Sequence, residues 1–304
     1  MPDRRYTQAL LMGVNTPWTE QYELHEEMFT KHTEQLLHLG YTHLYVMGTA
    51  GEGHAMTDSR YQRVVDVFLQ VANKPGLFPQ VGVISLSADH MIERVHYAHE
   101  KGARMFQISL PSWGRLSGTE KVTYINTVCS SFPDAKFLHY NYASSINSMT
   151  ADDYCSAVAA VPNLVATKIS IKNMALIRAL MTRVPQLQHF FMATAFPYAC
   201  LYGECSLINS LGPVFPNLTR KLFEAGKSGD LTTAFTIQRR MLQIHEGLGR
   251  HVKGAKIDGA WDKLNTWLVD PDYPRRLLPP YEMMSDEEAT KARDYYEAHC
   301  QDIS

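Results

Sequence analysis

The chain has 304 residues, 45% of them hydrophobic, and its 29 Lys and Arg nearly balance 31 Asp and Glu, for a net charge of −2. This length suffices for a large core, and the balanced charge gives no electrostatic case for nucleic-acid or membrane partners. The five cysteines are scattered and lack C-x-x-C spacing, which argues against a disulfide framework or a zinc site. No apolar run reaches the ~18 residues of a membrane span. We predict a soluble, cytoplasmic globular protein.

Short apolar runs alternate with longer amphipathic segments along the chain. We predict eight strands, at residues 9–17, 43–48, 79–85, 104–111, 136–141, 164–170, 188–194 and 205–210. A predicted helix follows each strand, at residues 25–40, 58–74, 87–102, within 118–131, and at 150–161, 172–184, 197–202 and 217–226. The strands are continuous apolar runs, as expected when both faces of a parallel sheet are covered.

Eight strand–helix units over residues 1–226 predict an α/β fold, a (β/α)₈ TIM barrel. Strand patterns cease after residue 228, so residues 227–304 are expected to form a C-terminal helical extension packed on the barrel rather than an independent domain. The alternative is an open doubly wound sheet. It is disfavoured because no Rossmann or P-loop turn is present.

Three glycines follow the second predicted strand in the order Gly48-x-x-Gly51-x-Gly53. This order fits neither the dinucleotide fingerprint nor the P-loop, and no Lys follows it. Backbone N–H groups at such a strand end can hold an anion without a charged side chain. Thr57 is expected to cap the helix that comes next.

Reactive side chains of this fold lie at the C-terminal ends of the strands, and Lys168 is unusual among those positions. Its ammonium group, in the apolar run 164–170, is costly unless it is paired or functional. One interpretation is a buried ion pair or a side chain that snorkels to the rim. The other is an amine with a pKa lowered by desolvation, which attacks a carbonyl to form a Schiff base. Tyr140, on the neighbouring strand, favours the second because a phenol can move protons there, whereas Lys172 is a rival nucleophile expected to begin the next helix.

Four motifs occur in a characteristic order: "GTAGE" (48–52), "HYN" (139–141), "LVATKIS" (164–170) and "RLLPPYEMMSDEEATKARDYY" (276–296). With them, the sequence resembles the dihydrodipicolinate synthase / N-acetylneuraminate lyase family of Schiff-base, class I pyruvate aldolases over residues 8–300. The resemblance implies a (β/α)₈ barrel with C-terminal helices. It also implies a homo-oligomer, tetramer or dimer, and chemistry that needs no metal or organic cofactor.

The resemblance further implies roles for individual residues. Lys168 would be the nucleophile, with Tyr140 and Thr49 in a proton relay. The turn at Thr49 and Ala50 would hold the carboxylate of pyruvate, or of a related 2-oxo acid, on backbone N–H groups. A protonated imine then allows a carbon–carbon bond to an aldehyde partner to be cleaved or made through an enamine. The predicted substrate-binding set consists of residues that follow strands: Thr49, Ala50, Trp113, Ile208 and Asn209.

Three departures from the family narrow the substrate. Dihydrodipicolinate synthases carry Pro-Tyr-Tyr after the fourth strand, whereas Trp113 here has no hydroxyl for the relay. They also carry an Arg after the strand-5 tyrosine, where this chain has Ser144 and Ser145. Sialic acid lyases carry acidic residues after the seventh strand, and residues 192–199 contain none. Lysine biosynthesis and sialic acid cleavage are therefore both disfavoured.

Several functions remain open on this sequence. The Pro-x-Trp step resembles hydratase-aldolases of aryl-substituted pyruvates, and Trp113, Tyr142 and Phe196 at the rim would suit an apolar or aromatic aldehyde. Alternatively, these rings only pack the barrel mouth or a subunit interface. A 2-keto-3-deoxy sugar-acid aldolase or dehydratase would use the same imine with a basic or hydroxyl-rich distal pocket. A non-catalytic barrel that binds 2-oxo acids is the remaining hypothesis.

Overall fold

The chain forms a closed barrel of eight parallel strands in sequential order, seen in a computed structural model that describes residues 5–300. The strands are β1 (Leu10–Val14), β2 (His43–Val46), β3 (Phe78–Gly82), β4 (Met105–Ile108), β5 (Lys136–Asn141), β6 (Leu164–Ile169), β7 (Gln188–Met192) and β8 (Ser206–Ile208). The barrel helices are α1 (Glu26–His38), α2 (Asp58–Ala72), α3 (Ala88–Glu100), α4 (Gly118–Ser130), α5 (Ala151–Ala160), α6 (Met174–Arg183), α7 (Phe196–Cys200) and α8 (Pro216–Ser228). The predicted (β/α)₈ barrel is confirmed.

Helix boundaries follow the capping residues closely. Thr57 caps α2 by accepting a hydrogen bond from the Arg60 N–H, as predicted. The prediction that Lys172 begins the next helix is wrong, because the Asn173 side chain caps α6 and the helix starts at Met174. Lys172 therefore lies in the loop that follows β6, and it is exposed.

The first predicted strand, residues 9–17, is longer than the observed strand β1 (Leu10–Val14). Val14 is its last residue in register, opposite Val46 of β2. Beyond it, the Asn15 amide donates hydrogen bonds to the Asp262 carbonyl at 3.0 Å and to Thr266 Oγ1 at 2.8 Å. These partners lie in a helix of the C-terminal extension, so the strand ends where the backbone turns towards that helix.

A C-terminal helical extension was predicted, and three helices, α9 (Leu231–Gly249), α10 (Asp258–Val269) and α11 (Asp286–His299), confirm it within the described part of the chain. The predicted boundary after residue 226 falls in the last turn of α8. Helix α9 packs against α8 and α11. Within residues 5–300, no helix is both long enough and apolar enough to cross a bilayer.

Helix α10 is fastened to the glycine-rich turn after β2. Glu52, fully buried in that turn, forms an ion pair with Lys263 of α10 and accepts a hydrogen bond from Trp18 Nε1 at 2.8 Å. Burial lowers the pKa of Lys263 to about 8. A Cβ at Gly259 would lie 3.1 Å from the Ala50 carbonyl oxygen, so glycine permits the close approach of helix and turn. The first turns of α10 consequently lie at the end of the barrel where the strands have their C-terminal residues.

Candidate active site

Lys168 lies in β6 with its side chain directed into the barrel. It shares a strand face with Ala166, which belongs to the apolar cluster inside the barrel, because alternate strand residues point to the same side. The side chain is almost fully buried, with 3% exposed, and Nζ donates a hydrogen bond to the Tyr45 hydroxyl at 3.1 Å. Nζ also lies 4.3 Å from the ring centre of Tyr45 and 3.9 Å from that of Tyr140. Two aromatic rings and one hydroxyl thus surround the amine.

The surroundings of Lys168 shift the amine towards its neutral form. Burial lowers its pKa from 10.5 to about 8, and the carboxylates of Asp258 and Asp262 oppose that shift. None of the ion pairs formed among residues 5–300 involves Lys168. The buried ion pair considered from the sequence is therefore absent from the described chain. At pH 7 a pKa of about 8 leaves roughly a tenth of the amine unprotonated.

The three glycines after β2 are required by close packing. A Cβ on Gly48 would lie 2.8 Å from Tyr45 Cε2 and 3.5 Å from Lys168 Nζ. On Gly51 and Gly53 the added carbon would meet the Met47 backbone at 2.7 and 2.3 Å. Any side chain at these positions would displace either the turn or the aromatic ring beside the amine.

The turn presents backbone N–H groups beside Lys168. Its internal hydrogen bonds run from the Glu52 and Gly53 N–H groups to the carbonyls of Thr49 and Gly48. Within residues 5–300, the N–H groups of Thr49 and Ala50 have no acceptor. Both residues line the cavity that contains Lys168. A turn with this arrangement can accept a carboxylate.

Thr49 joins three elements through its hydroxyl. Its Oγ1 lies 3.2 Å from the Tyr140 hydroxyl at the end of β5 and donates to Asp258 Oδ2 of α10 at 2.7 Å. Tyr140 is opposite Lys168 in the register of β5 and β6, which explains why both reach the same cavity. Burial raises the pKa of Tyr140 well above its usual value, so the phenol is protonated at neutral pH.

A cavity of about 380 Å³ opens above Lys168, large enough for a small organic substrate. Six of the seven site residues predicted from the sequence line it: Thr49, Ala50, Tyr140, Lys168, Ile208 and Asn209. Asn209 is held by its amide, which donates to Thr219 Oγ1 at 2.8 Å.

Trp113 is the predicted site residue that the structure does not bring to this cavity. Its side chain is 90% exposed, in the loop between β4 and α4, and it is not part of the cavity wall. Phe196 is fully buried in α7 beside Phe223. Of the three aromatic residues expected at the rim, Tyr142 alone lines the cavity. Within one chain, the aromatic rim inferred from the sequence is therefore not formed.

Three residues of the site were missed by the sequence analysis. Tyr45 lies inside an apolar strand, where an aromatic residue gives no functional signal. Asp258 and Asp262 stand four residues apart, a spacing that places both carboxylates on one face of α10, and this pattern could have drawn attention to them. Burial, and then the charge of Asp258, raises the pKa of Asp262 to about 8. Because Asp258 and Asp262 lie far from the barrel motifs in the sequence, the sequence analysis did not assign them to the site.

The wall of the cavity combines polar and apolar groups. Hydroxyl, amide, imidazole and lysine groups line it, contributed by Ser144, Ser170, Lys172, Thr194, Ser210, Gln238, His245 and Lys256. Met192, Met241, Leu242 and the aromatic residues Tyr142 and Trp261 contribute apolar surface to the same wall. Such a lining offers hydrogen-bonding groups to a polar partner together with apolar surface.

The Dihydrodipicolinate synthetase family model matches residues 7–298, nearly the whole chain. The chain belongs to this family. A 4-hydroxy-tetrahydrodipicolinate synthase from Exiguobacterium sp. is 25% identical over 92% of this chain and 95% of the relative. A 2-dehydro-3-deoxy-D-gluconate/2-dehydro-3-deoxy-phosphogluconate aldolase from Thermoproteus tenax is also 25% identical, over 75% of this chain and 72% of the relative. The family comprises aldolases and lyases.

Two solved structures share the fold. A prophage protein from E. coli K12, crystallised with pyruvate, superposes with a TM-score of 0.86 at 17% identity, covering 95% of this chain and 98% of that one. The N-acetylneuraminate lyase from Fusobacterium nucleatum superposes with a TM-score of 0.83 at 14% identity, covering 96% and 98%. These similarities establish the architecture.

Proposed function

We propose that the protein is a lyase or aldolase that forms a Schiff base between Lys168 and pyruvate or a related 2-oxo acid. The observation that supports this most is the buried amine beside a turn with two free N–H groups. The N–H groups of Thr49 and Ala50 would bind the carboxylate, and charge-assisted hydrogen bonds of this kind contribute about 1.5–3 kcal/mol each. Binding there places the keto carbon within reach of Lys168, so that the attack of the amine becomes an intramolecular reaction.

The surrounding residues fit the steps of imine formation. The lowered pKa of Lys168 supplies neutral amine to attack the ketone. The Tyr45 hydroxyl, hydrogen-bonded to Nζ, orients the amine. The same nitrogen lies 3.9 Å from the ring centre of Tyr140, whose hydroxyl can transfer protons as the carbinolamine loses water. The protonated imine then withdraws electrons from the adjacent carbon, so that a carbon–carbon or carbon–oxygen bond can break or form through the enamine.

The hydrogen-bonding groups of the cavity wall also suit a hydroxylated partner. Trp113 and Phe196, which suggested an aromatic aldehyde, lie outside the cavity of this chain, and hydroxyl, amide and lysine groups line it together with the aromatic residues Tyr142 and Trp261. A 2-keto-3-deoxy sugar acid, cleaved or dehydrated through the same imine, is therefore the second candidate. Competition among glyceraldehyde, a short aliphatic aldehyde and benzaldehyde for enzyme-bound pyruvate would distinguish the two. Preference for benzaldehyde would contradict the hydroxylated partner.

Borohydride trapping tests the proposal directly. Reduction in the presence of pyruvate should leave a covalent adduct on Lys168, identified by peptide mass spectrometry, and K168R should yield none. An adduct on the exposed Lys172 instead would refute the assignment of the nucleophile. An unmodified wild-type protein would favour the non-catalytic barrel, and binding of pyruvate would then be measured by calorimetry. A homo-oligomer and a cytoplasmic location remain predictions.

A further inference from the structure

The hydrogen bonds of Thr49 have a definite direction. A threonine hydroxyl carries a single proton, and Thr49 donates it to Asp258 Oδ2 at 2.7 Å. The contact of 3.2 Å between Thr49 Oγ1 and Tyr140 Oη must then run the other way, with Tyr140 as the donor. Tyr140, Thr49 and Asp258 thus form a directed chain that ends on a carboxylate.

Asp258 is held in place by contacts other than the hydrogen bonds from Tyr140 through Thr49. It is the first residue of α10, which the buried ion pair of Glu52 and Lys263 fixes to the turn that contains Thr49. Asp258 also lines the cavity. Trp113 cannot take the place of Asp258, because its side chain has no hydroxyl and is exposed outside the cavity.

We propose that Asp258 is the end of the proton relay, a carboxylate in the role for which the family resemblance implies a third hydroxyl. The inference rests on the Schiff-base function proposed above. Because Asp258 acts through Thr49 and not on the substrate, it is a positioning residue of the relay. The C-terminal extension is thereby part of the catalytic apparatus of this chain.

The proton transfer balances without any further reactant. When the amine of Lys168 has added to the ketone, its nitrogen gives a proton to Tyr140 Oη. The phenol proton moves to Thr49 Oγ1 as the Thr49 proton moves to Asp258 Oδ2, so that each of the two hydroxyl oxygens loses one bond to hydrogen and gains another. The reverse sequence delivers a proton to the carbinolamine hydroxyl, which leaves as water. No oxidation or reduction occurs.

The environment of Asp258 bears on the design of the test. Six titratable side chains from β2, β5, β6, α10 and the loops after β2 and β5 lie within its electrostatic range: Tyr45, His54, Tyr140, Tyr142, Lys168 and Asp262. Lys256, two residues earlier, lines the same cavity. A pH profile would mix these groups, so an isosteric variant measured at one pH is the sharper experiment.

The test is D258N, assayed by the exchange of the pyruvate methyl protons for deuterium, followed by NMR in D₂O. This exchange requires the imine and the enamine but no aldehyde. The amide side chain of the D258N variant keeps an oxygen that accepts from Thr49 and still suits the start of a helix, but it cannot take up a proton. We expect the exchange rate to fall about 10²-fold, at the lower end of the effect of a general acid or base, with pyruvate affinity changed less than about threefold.

Variants of Thr49 interrupt the same chain without altering α10. T49V should slow exchange about as much as D258N, whereas T49S, which keeps the hydroxyl, should restore most of the rate. Because both variants break one relay, T49V/D258N should be no slower than the slower single variant. D294N, an exposed carboxylate of α11, is the matched control and should exchange at the wild-type rate.

Each outcome is decisive. Wild-type exchange by D258N would overturn the relay, since a hydrogen-bond acceptor alone would then suffice, and so would multiplicative losses in the double variant. Should D258N fail to fold, the ratio of T49V to T49S decides, and equal rates in those two would refute the inference. Failure of the proposed function is distinguishable, because wild-type protein would then neither exchange pyruvate protons nor form a borohydride adduct.

Discussion

Replacement of Lys168 by methionine should abolish imine formation and stabilise the fold. The pKa of Lys168 is lowered from 10.5 to about 8 on folding because the amine loses its hydration. At about 1.36 kcal/mol per pH unit, this difference costs the protonated folded state about 3 kcal/mol. Loss of the Tyr45 hydrogen bond and of the contacts with two aromatic rings offsets about 1–2 kcal/mol of the gain. We therefore expect K168M to be more stable by about 1–2 kcal/mol at pH 7.

The gain should depend on pH with a definite sign. The folded protein binds the lysine proton less tightly than the unfolded chain, so the cost is complete below about pH 8 and disappears as pH rises to 10.5. Asp262, whose pKa is raised to about 8, is uncharged over most of the lower range. The stabilisation of K168M should consequently shrink between about pH 8 and 10.5.

Urea unfolding of wild type and K168M at about pH 7 and pH 9.5 measures both effects. K172M, in the exposed loop after β6, is the control, and its stability should change by less than about 0.5 kcal/mol. A K168M protein less stable than wild type at pH 7, or a gain that is the same at both pH values, would contradict the argument that Lys168 is held at a cost for its reactivity.

Three further predictions follow from the same geometry. The rate of borohydride trapping with pyruvate should rise about tenfold per pH unit and level off near pH 8, and a rise that continues to about pH 10 would contradict the lowered pKa of Lys168. E52Q leaves Lys263 buried without its partner charge and should lower the free energy of unfolding, measured with urea, by about 3–5 kcal/mol. The double variant E52Q/K263M should recover part of that loss. Equal losses in the single and double variants would count against the ion pair as the anchor of α10. G48A places a carbon 2.8 Å from Tyr45 Cε2 and should reduce adduct formation at least about tenfold. The control is G114A, where the added carbon meets no atom within 4 Å, and it should behave as wild type. Equal adduct yields from the two variants would refute the need for close packing at Gly48.

The barrel and its buried lysine could be predicted from local patterns. Continuous apolar runs such as Leu164–Ile169 are the signature of strands covered on both faces, and a lysine in such a run is rare enough to be informative. The positions of Tyr140 and Thr49 follow from the rule that strand ends meet at one face of the barrel. These inferences need only the period of the strands and their order.

The rest of the site depends on contacts between distant parts of the chain. The rule that strand ends form the site says nothing about α10, which reaches the cavity only because Glu52 and Lys263, far apart in sequence, form a buried ion pair. The same rule placed Trp113 at the cavity, but the loop after β4 carries it outward, where its ring is exposed.

By itself, the sequence determined the (β/α)₈ barrel, the family and the amine at the end of β6, because each depends on a repeating or local pattern. Only the tertiary structure decided which side chains face that amine. The Tyr45 ring, the carboxyl groups of Asp258 and Asp262 and the remaining cavity wall converge through packing of the extension on the barrel. Such convergence is set by long-range contacts, and no spacing along the chain encodes it.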